Sequence, residues 1–207
     1  MYIYAFGSIC RGEIDKLSDL DLLLIKDESN DMEQFDFEKF SIYSEERIKD
    51  LWKEGNPFAW HLHLESKLIF SNNGSDFLKE LGNPNKYLNA KNDLEKFHNL
   101  YNSSFESLTN SKKSIIFDLS TIFLSIRNFA TCYSIGYLKN YNFSRNSALT
   151  ITENKLVISQ ECFRILERAR VLSTRGLGLD ISENEVIKVE NELPKINIWF
   201  NTLKNKL

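Results

Sequence analysis

Cysteine, proline and glycine are all scarce in this chain, at 3, 3 and 8 of 207 residues. Cys10, Cys132 and Cys162 are odd in number and unrelated in spacing, with no Cys-x-x-Cys pair. That argues against a disulfide framework or a zinc knuckle and points to a reducing, cytoplasmic compartment. The low glycine and proline content excludes collagenous and low-complexity chains. No uninterrupted apolar run approaches the ~20 residues that span a bilayer, so no membrane partner is expected. Met1-Tyr2-Ile3-Tyr4-Ala5-Phe6 is too short an apolar stretch, and lacks the basic flank, for a secretory signal. What is present is an ordinary globular composition, 42% hydrophobic and 27% charged, enough to bury a real core in one large domain or two small ones.

The net charge of −3 is unevenly spread. Residues 1–84 carry 9 Lys and Arg against 17 Asp and Glu, and residues 85–207 carry 17 against 12. An acidic half suited to cations thus precedes a basic half suited to an anion. The texture changes at the same place. Tyr2–Phe6, Leu20–Ile25 and Phe35–Tyr43 read as strands, Glu45–Glu54 as a helix stopped by Gly55-Asn56-Pro57, and His61–Phe70 as a further alternating strand. Gly82-Asn83-Pro84 is the linker signal. Beyond it, apolar residues recur every three or four positions, as in Leu94, Phe97, Leu100, Tyr101 and Phe105, which favours an up-and-down helical bundle. The expected fold is therefore α+β: a small mixed β-sheet domain over 1–84, then an all-α bundle over 85–207.

The chemistry concentrates in Phe6-Gly7-Ser8-Ile9-Cys10-Arg11-Gly12-Glu13 and in Ser18-Asp19-Leu20-Asp21-Leu22-Leu23-Leu24-Ile25. A strand delivers the chain to Gly7, where the missing Cβ lets backbone approach a phosphate oxygen, and Ser8 adds a hydroxyl donor. Asp19 and Asp21 are two apart at the start of a strand, so both carboxylates point to one face. Hard oxygen ligands side by side suit Mg²⁺, which takes the rest of its shell from water and substrate phosphates.

These segments resemble the signature of the DNA polymerase β-like nucleotidyltransferase superfamily, in particular its minimal, kanamycin-type branch. Gly-Ser or Asp-x-Asp alone is weak, but both with Arg11-Gly12-Glu13 between them are specific. The resemblance implies that Gly7, Ser8 and Arg11 bind nucleotide, that Asp19 and Asp21 hold metal, and that the substrate is an NTP, with ATP favoured. It implies transfer of a nucleoside monophosphate to a hydroxyl of a small molecule or a protein. Self-association as a homodimer is an open alternative.

Such enzymes present a third carboxylate from a later strand. Here the best register puts Ser41 there, with Asp36 and Glu38 as alternatives in a slipped register and Glu65 as another substitute base. Without that carboxylate the alternative is a degenerate nucleotide-binding or antitoxin-like interaction protein. Trp60-His61-Leu62-His63-Leu64-Glu65, read as a strand, lines His61, His63 and Glu65 along one face beside the acidic cleft. Arg127 sits within an apolar helix and must pair or face a cleft. With Phe143-Ser144-Arg145 downstream, it makes the second half similar to HEPN bundles, although Tyr133 stands where those ribonucleases carry histidine. Arg164 and Arg168 share a helix face, yet no basic patch is interleaved with aromatics, which argues against nucleic acid as a partner.

Overall fold

Tyr2, Tyr4 and Phe6 are buried while Ile3 and Ala5 between them are only partly so, and this alternating run, Tyr2–Phe6, forms strand β1. In the computed structural model, which describes residues 1–13, 20–26 and 39–206, β1 lies inside a four-stranded sheet of order β3-β2-β1-β4. Strands β2 (Asp21–Lys26) and β4 (Ser66–Ser71) flank it in antiparallel fashion, and β3 (Phe40–Ser44) runs parallel to β2. Helices α1 (Glu45–Glu54), α2 (Pro57–Glu65) and α3 (Phe77–Glu80) cover one face. Ile48, Leu51, Trp52, Ala59, Leu62, Phe77 and Leu78 from the helices join Tyr2, Tyr4, Phe6, Leu23 and Ile25 in a single core. Each large apolar side chain so buried contributes roughly 1.5–3 kcal/mol.

The helix over Glu45–Glu54 starts and stops as expected. Ser44 Oγ accepts from Arg47 N at 3.1 Å, and Gly55 closes the C-terminus at φ +63°. The next expectation needs correction. Residues 61–65 do not extend a strand; they finish α2, which starts where Asn56 caps Phe58 N at 2.9 Å and Pro57 occupies the first turn. Asn-Pro after a glycine both ends one helix and begins another, because proline has no N–H to lose in a first turn. Only 66–71 of the alternating run is strand. Of the expected strand 35–43, residues 35–38 lie outside the described residues, and β3 begins at Phe40.

The chain divides into two compact units, Met1–Asn89 and Ala90–Leu207. Residues 82–85 are strapped to the first one. Trp52 Nε1 donates to Gly82 O at 3.0 Å, Asn85 N to Trp52 O at 2.9 Å, and Trp60 Nε1 to Asn85 O at 3.1 Å.

The second unit is helical: α4 (Ala90–Asn110), α5 (Ile115–Tyr133), α6 (Ser147–Thr150), α7 (Gln160–Arg175) and α8 (Glu183–Lys204). Contacts of α4 with α5, α5 with α7, α7 with α8 and α8 with α4 close a four-helix ring. Its centre is aromatic, with Tyr101 stacked on Phe200 at 4.6 Å and Phe129 edge-on to the same ring at 4.8 Å. Together these units match the expected α+β class. Ile115–Leu138 is long and apolar enough, by length and composition, to cross a membrane, and 61% of that window is buried within the protein. A helix packed on several sides reads as apolar all round. Arg127 resolves its burial by donating to Phe143 O at 3.2 Å, while its own carbonyl accepts from Ser147 Oγ. Arg168 pairs with Glu185 at 2.7 Å rather than joining Arg164 in a patch.

Two stability predictions follow from these contacts. A Cβ on Gly55 would stand 2.3 Å from Asn85 O and 2.5 Å from Lys86 O, whereas one on Gly74, at similar positive φ, would meet nothing within 4 Å. Gly74→Ala should cost about 1–2 kcal/mol for the left-handed backbone alone. Gly55→Ala should cost roughly 1–3 kcal/mol more for the clash, and urea melts of the pair measure the difference. His98 is buried, with Lys204 Nζ 3.0 Å from its Nδ1; an ammonium only donates, so the ring accepts and is neutral. Burial first, then the Lys204 charge, push His98 below its ordinary 6.5. Unfolded chains therefore bind a proton there that folded chains refuse, and stability is lost as pH falls from 6.5 toward the lowered value. The melting temperature should drop across that window, and drop less steeply in His98→Phe.

Candidate active site

The register of the sheet gathers the site. Phe6 pairs with Asp21 on one side and with Ser66 on the other, and Leu22 pairs with Phe40. The end of β1 and the starts of β2, β3 and β4 thus share one end of the sheet. Gly7, Ser8 and Arg11 belong to the 3₁₀ turn Gly7–Arg11 that leaves β1, closed by Gly12 N to Ile9 O at 3.2 Å and Glu13 N to Ser8 O at 2.9 Å. Gly7 has φ +78°, and a Cβ there would lie 2.7 Å from Asp21 Oδ2. The turn and the carboxylate, 14 positions apart in sequence, are in contact because position 7 has no side chain.

Arg11 and Glu65, separate candidates in the sequence, are partners. Nε and Nη2 of Arg11 both reach Glu13 Oε2 at 2.9 Å, and Nη1 donates to Glu65 Oε2. His61 Nε2 lies 3.0 Å from the same Glu65 oxygen. Burial raises the Glu65 carboxyl, but His61 and Arg11 outweigh it and hold it below the usual carboxylate range. Burial likewise opposes the Arg11 cation, and Glu13 and Glu65 more than restore it. The His61 ring also stands edge-on to Phe6 at 5.7 Å. On a helix, His61 and Glu65 share a face as i and i+4, and His63 does not; it lines a separate cavity of about 490 Å³ with Tyr4, Ser66 and Lys67. The row of three groups expected from a strand is therefore a pair.

Asp19, Asp36 and Glu38 lie outside the described residues. Ser41 pairs with Leu23, two positions beyond Asp21 on the same face, and is exposed. The β2–β3 register begins at Leu22 and Phe40, so Lys39 immediately precedes β3 at the Asp21 end of the sheet. Sequence reasoning passed over Lys39, and no spacing signal marks it, since only strand pairing brings it there. Cys10 is a packed thiol: Sγ donates to Ala5 O at 3.4 Å, and burial pushes it up.

Residues 2–145 match the nucleotidyltransferase domain family. The chain belongs to that family. The match takes in the whole sheet and runs on through α5, so the Gly7–Asp21 contact falls at the heart of a nucleotidyltransferase domain, and nucleotidyl transfer is the chemistry of the chain. Among solved structures, it is similar to a spectinomycin adenyltransferase from Enterococcus faecialis solved with ATP and spectinomycin. That similarity spans 99% of this chain and 90% of the other, at 15% identity and a TM-score of 0.45. Among curated proteins, none matches the chain.

A divalent cation is the group this nucleotidyltransferase domain implies. Among the described residues no set of three or more His, Cys, Asp or Glu converges on one point. The donor chemistry that is described nevertheless fits Mg²⁺: an aspartate oxygen held against a glycine cradle that a Cβ would fill. Gly7→Ala tests the cradle. It should keep the fold at a cost of about 1–2 kcal/mol from φ alone, yet displace Asp21, so that any divalent-cation or nucleotide stabilisation in a thermal melt is lost.

Proposed function

We propose that this chain transfers a nucleoside monophosphate from an NTP to an acceptor hydroxyl on a small molecule or a protein. The observation that carries the reading is the contact of Gly7 with the Asp21 carboxylate, which joins the two halves of the sequence signature in space. In this reading the Gly7–Ser8 turn receives the triphosphate and Asp21 holds Mg²⁺, with Asp19 as its partner by resemblance. When bound, the ion neutralises charge on the phosphates and orients the α-phosphorus. The hydroxyl oxygen attacks that phosphorus, pyrophosphate leaves with the electrons of the broken bond, and the hydroxyl proton passes to water. ATP is the favoured NTP by the family resemblance.

Binding is the first test, because it needs no knowledge of the acceptor. With Mg²⁺ and NTP at ~100 times its dissociation constant, the protein should gain roughly 2.7 kcal/mol. That gain should require Mg²⁺, differ among the four NTPs, and vanish in Asp21→Asn. In a pyrophosphate-release assay over a panel of hydroxyl acceptors, Asp21→Asn should lower the rate by about 100-fold or more. Binding without release under any acceptor would instead favour a degenerate nucleotide-binding protein, and no NTP-dependent shift would overturn the reading.

A further inference from the structure

Glu65 was a candidate base, but its surroundings describe a different task. We propose that Glu65 and Arg11 are positioning residues: the carboxylate on α2 grips the guanidinium and so fixes the Gly7–Ser8 turn that receives the triphosphate. This deepens the nucleotidyltransferase reading and rests on it.

The geometry is a grip on both ends of the turn. Phe6, just before Gly7, meets the edge of His61, and Arg11, the last residue of the turn, is tied to Glu65. His61 and Glu65 are one helical turn apart on α2, so one rigid element holds both points. All three guanidinium nitrogens are engaged, two by Glu13 and one by Glu65. The side chains of Arg11, Glu65 and His61 are only 17%, 15% and 14% exposed, so solvent screens the contacts among these three little, whereas Glu13 is half-exposed. A planar guanidinium between two carboxylates has fixed direction as well as charge, which lysine could not reproduce.

The same geometry leaves little room for Glu65 as the base. One of its oxygens already faces the Arg11 guanidinium and the His61 ring, which hold the carboxyl below its usual range and make it a poorer proton acceptor. Asp21 and Ser66 flank Phe6 from opposite sides, so their backbones are two interstrand spacings apart, roughly 10 Å. Glu65 thus belongs to the far side of β1 from Asp21. What it can do from there is hold the turn still, and displacement of a bound group by about 1 Å is enough to cost on the order of 100-fold in rate.

Steady-state kinetics of Glu65→Gln, Arg11→Lys and the Arg11→Gln/Glu65→Gln double variant separate the roles. Loss of positioning should raise KM for the NTP about tenfold while kcat falls by less, and Arg11→Lys should fail to rescue it. The double variant should be no worse than the worse of its two single variants, because the residues act as one unit. Amide hydrogen exchange on the NTP-free protein should quicken across residues 7–13 in Glu65→Gln, which a residue acting only on the acceptor would not cause. A kcat collapse of 10²-fold or more at unchanged KM would make Glu65 the base and overturn the proposal. So would kinetics and exchange within twofold of wild type, or single effects that add in the double variant. Those failures leave an active wild type that Asp21→Asn inactivates. A wild type that binds no NTP instead overturns the underlying reading, and the proposal with it.

Discussion

A carboxylate resting against a residue without a side chain is the constraint on which the N-terminal half depends. Phe6 pairs with Asp21 across the β1–β2 ladder, and the chain must then turn at once without striking that carboxylate. Glycine at φ +78° does both: it enters the left-handed region and offers no Cβ where one would lie 2.7 Å from Asp21 Oδ2. Because β1 is antiparallel to both neighbours, its C-terminal end coincides with the starts of β2 and β4. Parallel pairing of β3 with β2 adds the start of β3 to the same edge. The Gly7–Ser8 turn, the Asp21 carboxylate and the end of α2 are thereby assembled by strand direction before any side chain is chosen.

Helix α2 works on two faces. Ala59 and Leu62 are fully buried in the core over the sheet, and Phe58 packs against Phe6 and Tyr43. From the other face His61 and Glu65 reach the turn. The helix is itself held from below, since Trp52 and Trp60 anchor residues 82–85 through their indole N–H groups, and Gly55 lets that segment come within backbone contact. A partly buried polar cluster placed on so fixed an element keeps its geometry, because a side chain that moved would leave its partner unpaired. The helical unit solves its own polar problem separately: Arg127 reaches a loop carbonyl, that of Phe143.

Some of this was legible in the residues. Ser44 ahead of Glu45-Glu46 and Gly55 after Glu54 are local capping chemistry, and the helix they bound is the one observed. Four aliphatics after Asp21 mark a buried strand. The stretch Trp60–Glu65 misled because Leu62 and Leu64 alternate with His61, His63 and Glu65, satisfying a period of two over too few residues to exclude 3.6. The decisive sign was Asn56-Pro57, a start as well as a stop. Lys39 at the Asp21 end of the sheet, and Arg11 tied to Glu65 across 54 positions, carry no local signature at all.

By itself the sequence determined the class of chemistry. Gly-Ser followed by Asp-x-Asp on an apolar strand is a short-range pattern, built from residue types whose oxygens, hydroxyl and bare backbone suit phosphate and a hard cation. The α+β division is equally local in origin, since the hydrophobic period changes from 2 to 3.6 along the chain. Tertiary structure alone decided who partners whom. Whether Glu65 attracts a proton or grips an arginine depends on which strand end α2 runs into, and that is set by long-range pairing registers whose energy is spread over the whole sheet.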